Sequence, residues 1–360
     1  MAQAAAATRP VDEDKLNAFV GKMLGDMGAA LGGTLVHIGD QLGLYKALLK
    51  GGPANAADLA QRTGTAERYV REWLAQQAAS GYIDYCTETG RFSLSPEQAA
   101  IFADDSSPVF MAGFFDIAAA AYRDEPKILE AFRSGAGVGW HEHDRCLFCG
   151  TERFFRTSYR HQLVQAWLPA LDGVTGKLER GARVADVGCG HGASTILMAK
   201  AYPKSHFWGF DYHAPSISCA RAAAEEAGVA DRVVFTVAAA KEYPGEHYDL
   251  VTCFDCLHDM GDPTGAARHV KSTLAPDGTW MIVEPFANDR LEDNLNPVGR
   301  LYYAASTMIC TPASLSQEVG LALGAQAGEA RLREVVTAGG FTRFRRATDT
   351  PFNLVLEARA

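Results

Sequence analysis

Nowhere in the 360 residues is there an apolar run near the roughly 18 residues that a membrane-spanning helix needs. The opening MAQAAAATRP has no basic start followed by an apolar core. Residues 1–11 therefore read as a disordered tail and not as a signal peptide. Positive charge is in deficit: 34 Lys and Arg stand against 43 Asp and Glu, a net charge of -9. That balance argues against non-specific binding to DNA or acidic membranes. No internal repeat is visible. A compact cysteine framework is also missing: Cys86, Cys146, Cys149, Cys189, Cys219, Cys253, Cys256 and Cys310 are scattered through a long chain. Without an export signal, reduced thiols in the cytoplasm are the expectation.

What is present is an ordinary globular composition, 48% hydrophobic with 35 glycines, and a length that suits two domains. Residues from about 12 to 135 read as mostly helical, within a domain read as 12–150. NAFVGKMLGDMGAALGGTLVHIGDQLGLYKALLK repeats apolar residues at helical spacing. NAADLAQRTG follows as a short helix ending at Gly64, then a helix from Thr65 as N-cap with Val70, Leu74 and Ile83 on one face, then a hairpin around TETG. Helix, turn, helix, hairpin is the order of a winged helix. Its presumptive recognition helix carries Glu67, Arg68, Arg71 and Glu72, a balanced set where DNA readers show a basic face. A protein–protein module, serving dimerisation, is the alternative.

From residue 151 strands and helices alternate: RVADVG, ASTILMAKAY, HFWGFD, SISCARAAAEEAG, RVVFTVA, YDLVTCFD, TGAARHVKSTL and GTWMIVEP. Such alternation predicts a parallel sheet covered on both faces. Two closing strands, TRFRRAT and PFNLVLEARA, are near enough to pair antiparallel. VADVGCGHGAS sits between the first of these strands and its helix, with Gly188, Gly190 and Gly192 preceded by Asp186. The spacing is G-x-G-x-G, not the G-x-G-x-x-G of dinucleotide binders. The next strand ends at Asp211, where a carboxylate can accept from both ribose hydroxyls.

On these residues, and on the segment YDLVTCFDCLHDMGDPTGAARHVKSTLAPDGTWMIVEP, the chain resembles the class I S-adenosylmethionine-dependent methyltransferases. With its winged helix it resembles their small-molecule O-methyltransferases and actinobacterial relatives. The resemblance implies an α/β, Rossmann-like sheet with a C-terminal antiparallel strand over 151–360, an insertion at about 286–328, and a helical dimerising domain over 12–150. It implies S-adenosylmethionine as cofactor, a small-molecule acceptor and a homodimer. Asp186, Gly188 and Gly190 would line the methionine and ribose side, Asp211 would hold the ribose, and Tyr212 would lie beside the adenine. Ala239, Ala240, Phe254 and Asp255 complete the expected cofactor set. Ala240 stands where the family carries an acid against the adenine amino group, and Phe254 where it often has a lysine.

His258 matches the family's general base, with Glu284 orienting it or binding substrate and Asp259 capping the turn. The family's Trp is Met260 here, and a structural role for His258 is the competing reading. Tyr302, Tyr303, Met308 and Cys310 line the acceptor pocket or pack the insertion. WHEHDRCLFCG, residues 140–150, has spacings that a zinc ion accepts in His141, His143, Cys146 and Cys149. Structural zinc usually draws on two separated ligand pairs, so no metal is expected. The stretch reads instead as one wall of the methyl-transfer cleft, with Trp140, His141 and His143 as substrate contacts, or as a plain linker. N-, S- or C-methylation, and a winged-helix regulator that senses the cofactor, are the alternatives to O-methylation.

Overall fold

The computed structural model describes residues 11–360. The expected tail, Val11 apart, lies outside the described residues. Two compact units divide at Phe115, Met1–Phe115 and Asp116–Ala360. The boundary expected at 150/151 therefore falls inside the second unit. Among the described residues no helix is long and apolar enough to cross a membrane.

The first unit begins with α1 (Glu13–Gln41), capped by Asp12, whose side chain accepts from the Lys15 amide. Its glycines do not interrupt it. Most of its length is exposed, and only Gly32, Val36 and Gly39 are buried. Phe19, Leu24, Met27 and Leu31 stand open to solvent. Next come α2 (Leu44–Gly51), α3 (Ala56–Thr63) and α4 (Glu67–Ala79). Gly64 ends α3 at φ 65°, as read from sequence. The N-cap expected at Thr65 is Ala66, which makes no side-chain bond, so this helix start is held by packing. Val70, Leu74 and Ile83 are all buried. The hairpin of β1 (Asp84–Cys86) and β2 (Arg91–Ser93) completes the winged helix. It is followed by α5 (Pro96–Phe102) and the start of α6 (Gly113–Ser134).

The second unit takes up the rest of α6, then α7 (Cys146–Ser158), which widens into a π-helical stretch over Tyr159–Trp167. Then α8 (Val174–Arg180) leads into the sheet. Along the chain follow β3 (Arg183–Val187), α9 (Ala193–Ala201), β4 (His206–Asp211), α10 (Ala214–Glu226), β5 (Val233–Val237), β6 (Tyr248–Phe254), α11 (Pro263–Thr273) and β7 (Leu274–Pro285). The segment read as an insertion folds as α12 (Pro297–Ala305), a π-turn over Ser306–Cys310, and α13 (Thr311–Leu315). Helix α14 (Gly328–Ala338) and strands β8 (Arg343–Asp349) and β9 (Asn353–Arg359) close the chain.

The seven strands run in the order β5-β4-β3-β6-β7-β9-β8. The first five pair in parallel, and β9 lies antiparallel to both β7 and β8. Alternation of side chains along each strand splits the core in two. Met281 and Val283 of β7 join one cluster with Trp167, Leu178 and Ile217. Trp280 and Ile282 join the other with Val270, Leu332 and Phe341. Burial on both faces is why these strands read as continuous apolar runs. It leaves the carboxyl ends of β3, β4 and β6, where the order of strands reverses, as the natural place for a ligand.

Candidate active site

The floor of that place is the turn from β3 into α9. Gly188 and Gly190 adopt φ 76° and 52°, a region costly for any side chain. A Cβ on Gly188 would lie 2.7 Å from the Cys256 sulfur, whereas one on Gly190 would meet nothing within 4 Å. Gly190 thus presents bare backbone to open space. Asp211, at the end of β4, accepts from the Gly190 amide (3.0 Å) through one oxygen and from the His213 amide (2.8 Å) through the other. Burial raises its carboxyl above the ordinary range, and those two amides oppose the rise. The carboxylate is therefore fixed in direction, with lone pairs left for a ligand.

A cavity of about 420 Å³ opens over this floor, within the range of small-molecule sites. Gly188, Gly190, Asp211, Tyr212, Ala239, Ala240, Phe254 and Asp255 all line it. The S-adenosylmethionine implied by the resemblance fits these residues: a ribose-binding carboxylate stands beside a glycine that admits close approach. Asp255 sits at φ 49°. Its oxygens face the Asn353 amide nitrogen (3.0 Å) and the Tyr159 hydroxyl (3.4 Å). Burial and then the nearby Glu284 hold its carboxyl well above the usual range. No acid stands at position 240, and the cation beside it, Lys241, is taken up by Asp262 (3.3 Å) and Glu318 (3.0 Å).

Beyond β6 the chain makes a tight turn over Leu257–Asp259. The ring of His258 is buried, and its Nδ1 is bonded to Oε2 of Glu284, at the end of β7. The other oxygen of Glu284 accepts from the Leu257 amide at 2.9 Å. The His258 Nε2 lies 3.1 Å from Oδ1 of Asp259. Burial alone would lower the imidazole's pKa, but Glu284 and Asp259 outweigh it and hold it well above its ordinary value. Asp259 lines the cavity, while His258 and Glu284 stand behind it.

Family comparison bears on the domain that holds this floor. Residues 178–335 match the family described as "Methyltransferase domain", and residues 29–103 match the "Rv2258c-like winged HTH domain". The 178–335 stretch is a methyltransferase domain. One curated relative is the 27-O-demethylrifamycin SV methyltransferase of Amycolatopsis mediterranei, 36% identical over 29% of this chain and 39% of that protein. The curated relatives matched here are covered over 24 to 53% of their own lengths. Among solved structures, the mitomycin 7-O-methyltransferase MmcR superposes with TM-score 0.70 at 21% identity, over 96% of this chain and 100% of that one. Human N-acetylserotonin methyltransferase, solved with SAM, superposes with TM-score 0.70 at 16% identity, over 99% of each chain. At these identities the likeness is one of fold.

Several residues singled out in the sequence lie away from the cavity. Asp186 does not line it. Its carboxylate accepts from Ser194 (2.7 Å), Thr195 (2.5 Å) and Thr252 (2.9 Å), tying the glycine turn to β6 of the methyltransferase domain. His141 is exposed. His143 is buried, with Nδ1 2.9 Å from Asp124, which Lys127 also engages at 2.7 Å. Tyr302 is buried and donates to the Phe352 carbonyl at 2.9 Å. Tyr303 and Met308 are half-buried outside the cavity lining. The insertion contributes Ala313 and Gln317 instead. Gln317 and Ser314 donate to the carbonyls of Asp259 and Met260, both at 2.8 Å, clasping the His258 turn.

Trp140 does line the cavity, and the rest of that wall was missed in the sequence. Trp140 meets Phe148 edge to face at 5.5 Å, and Phe148 stacks on His213 at 4.6 Å. Phe148, Glu152, Phe155 and Tyr159 all reach the cavity from α7 and its continuation. Their spacing, i, i+4, i+7, i+11, is one face of a helix. In the sequence, an apolar stripe of this kind reads equally as core.

Proposed function

We propose that this chain transfers the methyl group of S-adenosylmethionine to a hydroxyl of a small apolar or aromatic molecule. One observation carries the reading. The cavity floored by Gly190 and the doubly held Asp211 is the same cavity that Asp259 and the aromatic wall border. When bound, the co-substrate supplies a sulfonium-activated methyl, so the protein's task is chiefly alignment. Asp211 holds the ribose hydroxyls, and Tyr212, Ala239, Ala240 and Phe254 enclose the base. Trp140, Phe148 and Phe155 hold a flat, apolar acceptor. Asp259, with His258 and Glu284 behind it, receives the acceptor's proton.

The exposed apolar stripe of α1, Phe19, Leu24, Met27 and Leu31 among them, supports a homodimer formed through the N-terminal unit. Eight unpaired thiols support a cytoplasmic setting. The competing regulator reading is disfavoured on α4, where the arginines are neutralised by acids on the same helix. Calorimetry with S-adenosylhomocysteine tests the proposal first, and no heat of binding at millimolar ligand would sink it. Incubation with S-adenosylmethionine and a panel of phenols, read by mass spectrometry, then tests the acceptor class.

A further inference from the structure

We infer that Asp262 and Lys241 select the adenine base of the co-substrate, in place of the acid that is missing at position 240. The inference rests on the S-adenosylmethionine reading above and names the side chains that distinguish its base from other purines.

The floor sets the direction of the nucleoside. Asp211 ends β4, and the strand on the outer side of β4 is β5. The segment that follows β5, Ala238 to Lys241, lines the cavity together with Tyr212, Asp262 and Ala266. With the ribose at Asp211, the base falls at this end. Ala238, Ala239 and Ala240 have no side-chain donor or acceptor to offer it.

Polar groups reach this end from elsewhere. Asp262 is the N-cap of α11, and its Oδ1 accepts from the Gly265 amide at 2.8 Å. Its Oδ2 lies 3.3 Å from Nζ of Lys241, which also reaches Glu318 at 3.0 Å. A Cβ on Gly265 would lie 2.1 Å from Asp262 Oδ2 and 2.9 Å from Lys241 Cδ, so a glycine there makes room for the pair. Gln317 also lines the cavity, but its amide is engaged. Nε2 donates to the carbonyls of Asp259 and Ala313, and Oε1 accepts from the Gly261 amide.

Capacity remains on both members of the pair. A carboxylate has about four lone-pair positions and an ammonium has three hydrogens. Asp262 is engaged by the Gly265 amide and Lys241, and Lys241 by Asp262 and Glu318. Together they present an acceptor beside a donor. The Watson–Crick edge of adenine is the complement, an N6 amino donor beside the N1 acceptor. Hypoxanthine and guanine carry a carbonyl at position 6 and a hydrogen on N1. Against them acceptor would face acceptor and donor would face donor, and mispaired polar groups in a closed site are the strongest basis for rejection.

Calorimetry with S-adenosylhomocysteine and S-inosylhomocysteine tests this, because the two compounds differ only at that edge. The parent chain should prefer the adenine compound about 10- to 100-fold. Asparagine caps a helix as well as aspartate does, so Asp262→Asn should fold, as thermal melting checks. It should lose about tenfold in affinity for the adenine compound and none for the inosine compound. Lys241→Met leaves the cap untouched and should also narrow the preference. A folded variant of either residue that keeps the parent preference overturns the inference. So does a variant that loses affinity for both compounds alike, or a parent chain that binds the two equally. A parent chain that binds neither compound refutes the co-substrate reading, and this inference with it.

Discussion

On α4 of the N-terminal unit, Arg68 pairs with Glu72 and Arg71 with Glu67 in solvent, each across one helical turn. At the strand ends of the methyltransferase domain, Asp186 and Glu284 are buried, and their partners come from other elements. The first arrangement is weak, local and visible in the sequence, since residues four apart on a helix are neighbours. The second is costly to disturb, because removing one partner strands a charge away from water. Charge is paired in solvent on α4 and fixes side chains in place at the strand ends.

Breaking the buried side should cost most. His258→Ala leaves Glu284 without its ring partner and should destabilise the fold by about 3–5 kcal/mol, read as a lowered thermal midpoint, with turnover abolished. His143→Ala is the contrasting case. Asp124 keeps Lys127 and the Asp144 amide, so the same measurement should show a smaller loss. Equal losses at the two histidines would end the distinction drawn for the His258 turn.

Asp211→Ala comes next. Two charge-assisted bonds to ribose hydroxyls would be lost, roughly 3 kcal/mol or a hundredfold in S-adenosylhomocysteine affinity, with little change in thermal stability. The same carboxylate sets a pH dependence. Burial has raised its pKa, and the ionised form is the acceptor. Affinity should be flat at pH above the raised pKa and fall as pH drops through it, starting nearer neutrality than for an ordinary aspartate. Calorimetry across pH, repeated on Asp211→Asn, should find this fall only in the parent protein. The exposed pairs of α4 mark the smallest effect. Arg68→Ala should shift stability by no more than about 0.5 kcal/mol. Gel shift at low salt should show no sequence-selective DNA binding, and tight selective binding would reverse the reading of that unit.

Sequence reading reached the features that depend on near neighbours. The glycine turn, the strand-end Asp211 and Tyr212, and the helix, turn, helix, hairpin order were legible because each is set by backbone requirements within a few residues. The Thr65 cap was not. The Ala66 start of α4 makes no side-chain bond to announce it. Tyr302, His141 and His143 were chemically suitable acceptor contacts. Suitability does not say which carbonyl or carboxylate a side chain meets, and each lies outside the cavity lining.

By itself, the sequence determined that a parallel α/β sheet carries a glycine turn and a carboxylate at the ends of its first two strands. Periodicity, glycine spacing and the place of one carboxylate are local properties of the chain. The tertiary structure decided which polar groups are spent and which are open. Asp186 is used up by three hydroxyls, His258 is clamped by a glutamate 26 positions away, and Cys310 is brought beside both His258 and Asp259. Hydrogen-bond capacity is finite and burial makes it binding, so what a residue can do at a site depends on neighbours that only the folded chain supplies.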